Sequence, residues 1–243
     1  MYDPGRWKDH GSYYTYEDSQ RTIGWKQARM GRVTGSIISS CIGNTEYFNQ
    51  ETPEDIAKQI AGIKDKQFTP EAQARMDYGT IHESDARNWY ALSYTLVNSS
   101  KDQVRVIEKE FAVPKFDPRI GMSPDGMVII NEVEVGLIEI KCPQSFYRSL
   151  DIYLRNGRPR TSRYEHIYRS HYDQMQMGMA IFDKEWCDYI VYCIPENKVF
   201  LERVYRNRDY WDDIYRRVKI FIENILTPIL VSTGSRYPLV PLK

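Results

Sequence analysis

The sequence predicts an α/β protein. Three observations predict it: proline-led helix starts in the first third of the chain, short β-rich runs between Val104 and Lys141, and a return to helical spacing from Tyr164. With 243 residues, 42% of them hydrophobic, the chain is long enough to bury one substantial core and too short for two full-sized enzyme domains. The expected division is an N-terminal arm over 1–20, a single domain over 21–226 and a C-terminal tail over 227–243.

Residues 1–20 are rich in Tyr, Asp, Gly and Ser without periodicity, as in an arm that drapes over the domain or stays mobile, and they carry no assignable chemistry. A short helix around Gly24 to Arg29 leads into the segment Val33 to Ile42, which contains the turn Thr34-Gly35-Ser36. Thr52-Pro53-Glu54-Asp55 and Thr69-Pro70-Glu71 each combine a capping hydroxyl, a proline at the first helical position and acids in the first turn, so a helix starts at each. The second runs to about Tyr94 and carries Glu83 midway. Val104 to Val113, Gly126 to Ile130 and Leu137 to Lys141 then read as strands. Tyr164 to Phe182 is helical, with Tyr168, Tyr172, Met175, Met179 and Phe182 as its core stripe. Asp188 to Ile194 and Lys198 to Tyr205 form a strand pair joined at Pro195-Glu196-Asn197. Arg208 to Leu226 closes the chain as a helix whose apolar face is Trp211, Ile214, Val218, Phe221 and Ile225, ended by Pro228.

Thirty-three Lys and Arg balance 33 Asp and Glu, so nucleic-acid binding would need local asymmetry rather than a global positive field. Cys41, Cys142, Cys187 and Cys193 form no CxxC pair and follow no signal peptide, which points to free thiols in a reducing, intracellular setting and away from zinc or iron–sulfur chemistry. Glu, Lys and Arg interrupt every apolar stretch before the ~20 residues of a membrane span, so a soluble protein is expected. Nineteen Tyr and five Trp suit core packing first, and a wall for bases or sugars second.

Ser123-Pro124-Asp125-Gly126 followed by Glu139-Ile140-Lys141 carries the chemistry. Side chains alternate along a strand, so Leu137, Glu139 and Lys141 share one face, with the acid and the amine about 7 Å apart at the backbone. A hairpin returning from Asp125 brings a second carboxylate beside Glu139. Two carboxylates suit Mg²⁺, a hard ion that prefers oxygen ligands. Lys141, close to the scissile phosphate, would orient or help deprotonate the attacking water and offset negative charge growing in the transition state; a second ion, if bound, would stabilise the leaving 3′ oxygen. Gly79, Glu83, Ala86 and Tyr90 lie on one helical stripe, which turns Glu83 toward packed surface, where a buried carboxylate wants a partner. Arg155, Arg158, Arg160 and Arg163, spaced by Gly157 and Pro159, make a basic loop suited to a phosphate backbone. His82, His166 and His171 lack a zinc-like grouping and read as structural or supporting residues.

These residues resemble the PD-(D/E)xK nucleases, and more narrowly the lambda exonuclease and YqaJ viral recombinase family. Gly24-Trp25-Lys26-Gln27-Ala28-Arg29-Met30-Gly31 with Thr34-Gly35-Ser36 resembles the family's opening motif, and Gly79 with His82-Glu83-Ser84-Asp85-Ala86-Arg87 its glutamate helix. Met122 to Gly126 and Leu137 to Pro143 resemble its active-site strands, and Tyr172 to Met177 its glutamine helix. The resemblance covers about Gly24 to Phe182. It implies a restriction-endonuclease-like core with a central mixed β-sheet flanked by helices, and a Mg²⁺-dependent deoxyribonuclease, with Mn²⁺ as substitute and one or two ions.

The same resemblance implies that Asp125, Glu139, the Ile140 carbonyl and Glu83 hold metal, that Lys141 is the catalytic lysine, and that Gln174 lies near the nucleophilic water or scissile phosphate, with Gln176 open by register. Arg29, Ser36 and Ser123 correspond to a pocket for the 5′ phosphate, Arg being able to donate two hydrogen bonds at once; Arg148 is a further candidate. The function implied is 5′ to 3′ degradation of linear double-stranded DNA from its ends in viral-type recombination or DNA processing, with a single-strand annealing protein as a partner, and with the host cytoplasm or nucleus as the location of a viral protein. Both a ring-shaped trimer and a monomer occur among such enzymes, and the sequence does not choose between them. The alternatives are a structure-specific or restriction-like endonuclease with the same site, and a catalytically inactive DNA-binding recombination scaffold.

Overall fold

The computed structural model describes residues 3–44, 51–97, 102–146 and 167–234. The N-terminal arm is ordered against the rest: β1 (Trp7–Asp9) pairs with β2 (Tyr13–Tyr16). Thr22 accepts a hydrogen bond from the Trp25 amide and so starts α1 (Ile23–Arg29). The segment read as Val33 to Ile42 divides into β3 (Val33–Thr34), one 3-10 turn and α2 (Ile38–Cys41). Both proline-led starts form as their local chemistry dictates. The Thr52 hydroxyl accepts from Asp55 N at 3.2 Å to begin α3 (Pro53–Ile60), and the Thr69 hydroxyl accepts from Ala72 N at 3.2 Å to begin α4 (Pro70–Val97).

The run Val104 to Val113, expected as one strand, is corrected to two: β4 (Val104–Ile107) and β5 (Phe111–Pro114), which belong to different sheets. β5 leaves the main sheet to pair antiparallel with β2, a partner about a hundred residues back along the chain that no local pattern discloses. Short β6 (Ile120–Gly121) runs parallel to β3, and β7 (Gly126–Ile130) turns back into β8 (Val133–Lys141), which begins earlier than expected. After α5 (Arg169–Phe182) come β9 (Trp186–Cys193) and β10 (Lys198–Tyr205), then α6 (Arg208–Phe221) and α7 (Thr227–Ser232).

The closing helix does not end at Pro228. A π turn over Ile222–Leu226, in which the Thr227 amide reaches the Ile222 carbonyl, widens the helix and lets Pro228 sit in the first turn of α7, where its missing N–H costs nothing.

The main sheet has the order β10-β9-β8-β7-β4 and is mixed: β8 and β9 are parallel and the other pairs antiparallel. Alternation along β8 divides the core. Leu137 joins Met127, Ile129, Tyr189 and Val191 beneath α5 and α6, while Ile138 and Ile140 join Val128, Ile190 and the Ala86 and Tyr90 side of α4. The fold is therefore a central mixed sheet flanked by helices. The four cysteines are buried free thiols. Among the described residues no helix is long and apolar enough to cross a membrane. Arg148, the loop arginines Arg155, Arg158, Arg160 and Arg163, and His166 lie outside the described residues.

Candidate active site

The β7–β8 hairpin pairs Gly126 with Ile138, so Asp125, one residue before β7, lies beside the end of β8. Its Oδ2 accepts the Ile140 amide at 2.7 Å, and its own carbonyl accepts from Arg87 of α4 at 2.9 Å. Gly126 makes this closeness feasible: a Cβ there would stand 2.5 Å from Val106 and 2.8 Å from Ile138. Glu139 is 1% exposed. Its two oxygens are taken by different partners, Lys141 Nζ at 2.6 Å and Gln174 Nε2 at 2.9 Å. Gln174, in the first half of α5, is thereby the glutamine that touches Glu139; Gln176, buried, instead donates to the Tyr205 carbonyl at 3.0 Å and accepts from Asn207 N at 2.8 Å.

Glu83 comes from α4, which passes so near the end of β8 that a Cβ on Gly79 would lie 3.7 Å from the Cys142 carbonyl. Its Oε2 holds Arg21 Nη2 at 2.6 Å, and Arg21 Nη1 reaches Glu108 at 3.2 Å. Burial and the neighbouring Asp125 push the Glu139 carboxyl up to about 8. The same two causes, in the same order, raise Glu83. Burial works against the Lys141 ammonium, yet Glu139, Asp125 and Glu83 hold its affinity for the proton above the ordinary value. Asp125 thus penalises the charge of both Glu139 and Glu83, the condition that a hard divalent cation relieves. Their oxygen chemistry fits such an ion. Among the described residues no group of three acids, histidines or cysteines is drawn together closely enough to hold a metal ion; Arg21 pairs with Glu83 and Lys141 with Glu139.

A second cluster adjoins the first. Arg29 stacks its guanidinium 4.1 Å from the Trp25 ring centre and lies 3.5 Å from Thr34 Oγ1, which is 3.4 Å from Ser36 Oγ; Trp25 Nε1 donates to Ser123 Oγ at 2.8 Å. Burial lowers the Arg29 pKa to about 10, and among the described residues no carboxylate offsets it. Between the clusters lies Gly35, where a Cβ would meet Gln174 Cγ at 3.2 Å. Arg29, Ser36 and Ser123 are therefore brought together as expected, within one side chain of the Glu139 cluster. Sequence reading missed the linking roles of Trp25 and Thr34, although both sit inside motifs it used. It also missed the roles of Arg21, which carries no local signal, and of Arg87, although Arg87 sits inside the glutamate-helix motif. Of the histidines, His82 bonds Asp85 at 2.9 Å and His171 bonds the Tyr189 hydroxyl at 2.8 Å, and among the described residues neither belongs to a group of three potential metal ligands.

Residues 24–185 match the model of the YqaJ-like viral recombinase domain. The chain belongs to that family. The match spans α1, the glutamate helix, the β7–β8 hairpin and α5, so all five of Glu83, Asp125, Glu139, Lys141 and Gln174 fall within it. Among solved structures, an alkaline exonuclease, LHK-Exo, from Laribacter hongkongensis is similar with a TM-score of 0.61 at 23% identity, over 88% of this chain and 97% of that one. The same enzyme in complex with dAMP gives 0.60 at 24%, over 88% and 98%. A phage-related exonuclease from Haemophilus somnus 129PT gives 0.54 at 14%, over 84% and 96%. At these identities the likeness concerns the fold. No curated protein matches the chain significantly.

Proposed function

We propose that this protein is a divalent-metal-dependent exodeoxyribonuclease that degrades linear double-stranded DNA from 5′-phosphorylated ends, 5′ to 3′, in viral-type recombination. The observation that carries the reading is the meeting of Asp125, Glu139, Lys141 and Gln174 at one end of the sheet, with Glu83 opposite, in a chain of the YqaJ-like family. The names of the similar structures, both exonucleases, support the same class.

Asp125, Glu139 and Glu83, with the Ile140 carbonyl, would hold Mg²⁺ or Mn²⁺. A divalent ion bound there supplies Lewis acidity and positive charge at the scissile phosphate. The protein's own groups do the rest. The Ile140 amide fixes Asp125, and the Gln174 amide fixes one oxygen of Glu139, so both carboxylates are oriented before substrate arrives. Lys141 keeps its proton in this acidic surrounding, which suits it to offset charge on the phosphate oxygens and to orient the attacking water. Arg29, buried and without an acidic partner among the described residues, is suited to a terminal phosphate, with Ser36 and Ser123 as hydroxyl donors beside it. A terminal phosphate gripped there, next to Gln174, would set the following phosphodiester at the carboxylates. The product carries a 3′ single strand, the form that an annealing partner takes up.

The test compares wild type and Arg29→Ala on phosphorylated and dephosphorylated ends of one linear duplex, with covalently closed circles alongside. Wild type should prefer the phosphorylated end, and Arg29→Ala should erase the preference by removing a charge-assisted contact of about 2–3 kcal/mol. Equal wild-type rates on both ends, or rapid cutting of closed circles, would move the reading to an endonuclease.

A further inference from the structure

Arg21 lies outside the constellation that the carboxylates, Lys141 and Gln174 make, yet it is built into the same place. Its backbone has φ 72, in the left-handed region that residues other than glycine seldom adopt. Such a conformation persists only where neighbours impose it. On one side Gln20 donates through Nε2 to the Lys109 carbonyl at 2.9 Å and the Pro124 carbonyl at 3.2 Å, pinning the segment to the loop that carries Asp125. On the other, Thr22 donates to the Ser19 carbonyl at 2.8 Å and caps α1. The result aims a guanidinium across Glu83 at 2.6 Å and Glu108 at 3.2 Å, with the Arg21 side chain still 44% exposed. Glu108, at 36%, forms the outer and weaker hold.

One oxygen of Glu83 cannot serve a guanidinium and a divalent cation equally well. We infer that Arg21 exchanges partners, holding the Glu83 carboxylate until a divalent cation takes it and then turning to a phosphate of the DNA backbone at the same site. The inference rests on the proposed metal-dependent nuclease reading and adds to it a phosphate contact whose availability depends on the ion. A dication held by Asp125 and Glu139 would offer Glu83 a double charge where Arg21 offers a single one, so the cation would win the competition for Glu83. The freed fork remains tethered beside Asp125 with an exposed face, where the scissile strand must pass. Arg is suited to this second role because its planar donors match phosphate as well as carboxylate. Cation occupancy and DNA affinity are thereby linked, each favouring the other.

The test uses Ca²⁺ as a probe that binds carboxylate oxygens, with the full chain as wild type, Arg21→Gln and Arg21→Lys, and Glu139→Gln as the site control. Calorimetric titration without DNA should show Arg21→Gln binding Ca²⁺ at least about 5-fold more tightly than wild type, with Arg21→Lys between them. Fluorescence anisotropy with a 5′-phosphorylated duplex should then show that Ca²⁺ tightens wild-type binding about 5-fold more than it tightens Arg21→Gln, and that the Ca²⁺-state salt slope of the variant is smaller by about one. Equal or weaker Ca²⁺ binding by Arg21→Gln, or an equal Ca²⁺ gain in both proteins, overturns the exchange and makes Arg21 a fixed clamp on Glu83. If wild type binds no Ca²⁺, or Glu139→Gln binds it as well as wild type, the metal reading itself falls and takes the exchange with it.

Discussion

Glu139 and Lys141 lie two apart on β8, and the alternation of strand side chains sets both on one face, so this half of the site was legible from three consecutive letters. Asp125 was legible because the hairpin that returns it is short. Arg21 was not, since 62 positions separate it from Glu83 and the pairing depends on a left-handed backbone at a non-glycine residue, for which the sequence offers no cue. Arg87 escaped for a related reason: it bonds a carbonyl rather than a side chain, and backbone acceptors leave no trace in the letters. Lys141→Ala removes a protonated amine from beside the proposed scissile phosphate while leaving Asp125, Glu139 and Glu83 in place. The expected outcome in single-turnover kinetics is a rate loss of about 10² to 10⁴, with duplex affinity in Ca²⁺ nearly unchanged. Normal turnover at saturation combined with lost binding would make Lys141 a docking residue. Gln174→Ala frees one oxygen of Glu139 and should cost rate with little change in KM, read from the same kinetics; a change in KM alone would detach Gln174 from the reacting centre.

Elements whose signals are local emerged where expected. Thr52-Pro53 and Thr69-Pro70 start helices because capping hydroxyl, ring constraint and first-turn acids act within four residues. The Val104 to Val113 run was misread because its first half completes the main sheet beside β7 while its second half adds to the N-terminal hairpin, a choice made by distant partners. Pro228 misled in the opposite way: a proline stops an α-helix, but the preceding π turn reopens the ladder around it. The close approach of β4, β7 and β8 rests on Gly126, and Gly126→Ala forces a methyl against Val106 and Ile138. Overpacking of this kind costs about 1–3 kcal/mol. Denaturant unfolding should show that loss, together with reduced nuclease rate, because the displaced hairpin carries Asp125; unchanged stability would mean that the strands have slack that their packing does not suggest.

At the scale of the molecule, the sheet lies between α4 on one face and α5 with α6 on the other, and all five proposed catalytic residues reach its end from those three layers. The α/β class was legible because hydrophobic period and length report it, and the helix-flanked mixed sheet was implied by the family resemblance; the ordered arm was not legible, since β2 gains its strand character from pairing with β5 and β1 from pairing with β2. Stability should carry a pH signature from the α5–β9 contact. Burial, then the charge of Lys141, lowers the His171 pKa well below 6.5, so the folded protein keeps this imidazole neutral. A depressed folded pKa contributes stability that is whole above the unfolded value and is lost as pH falls through 6.5 toward the folded value. Thermal melts from pH 7.5 to 5 should therefore show a smaller drop for His171→Gln than for wild type, and parallel curves would refute the assignment. The central claim, that Asp125 and Glu139 form a divalent-metal site for DNA hydrolysis, is tested most directly by nucleotide release from a 5′-phosphorylated linear duplex by wild type, Asp125→Asn and Glu139→Gln, each with Mg²⁺ and with EDTA. The account predicts release by wild type with Mg²⁺ alone and none from either folded variant; release in EDTA, or full activity of either variant at low Mg²⁺, would contradict it.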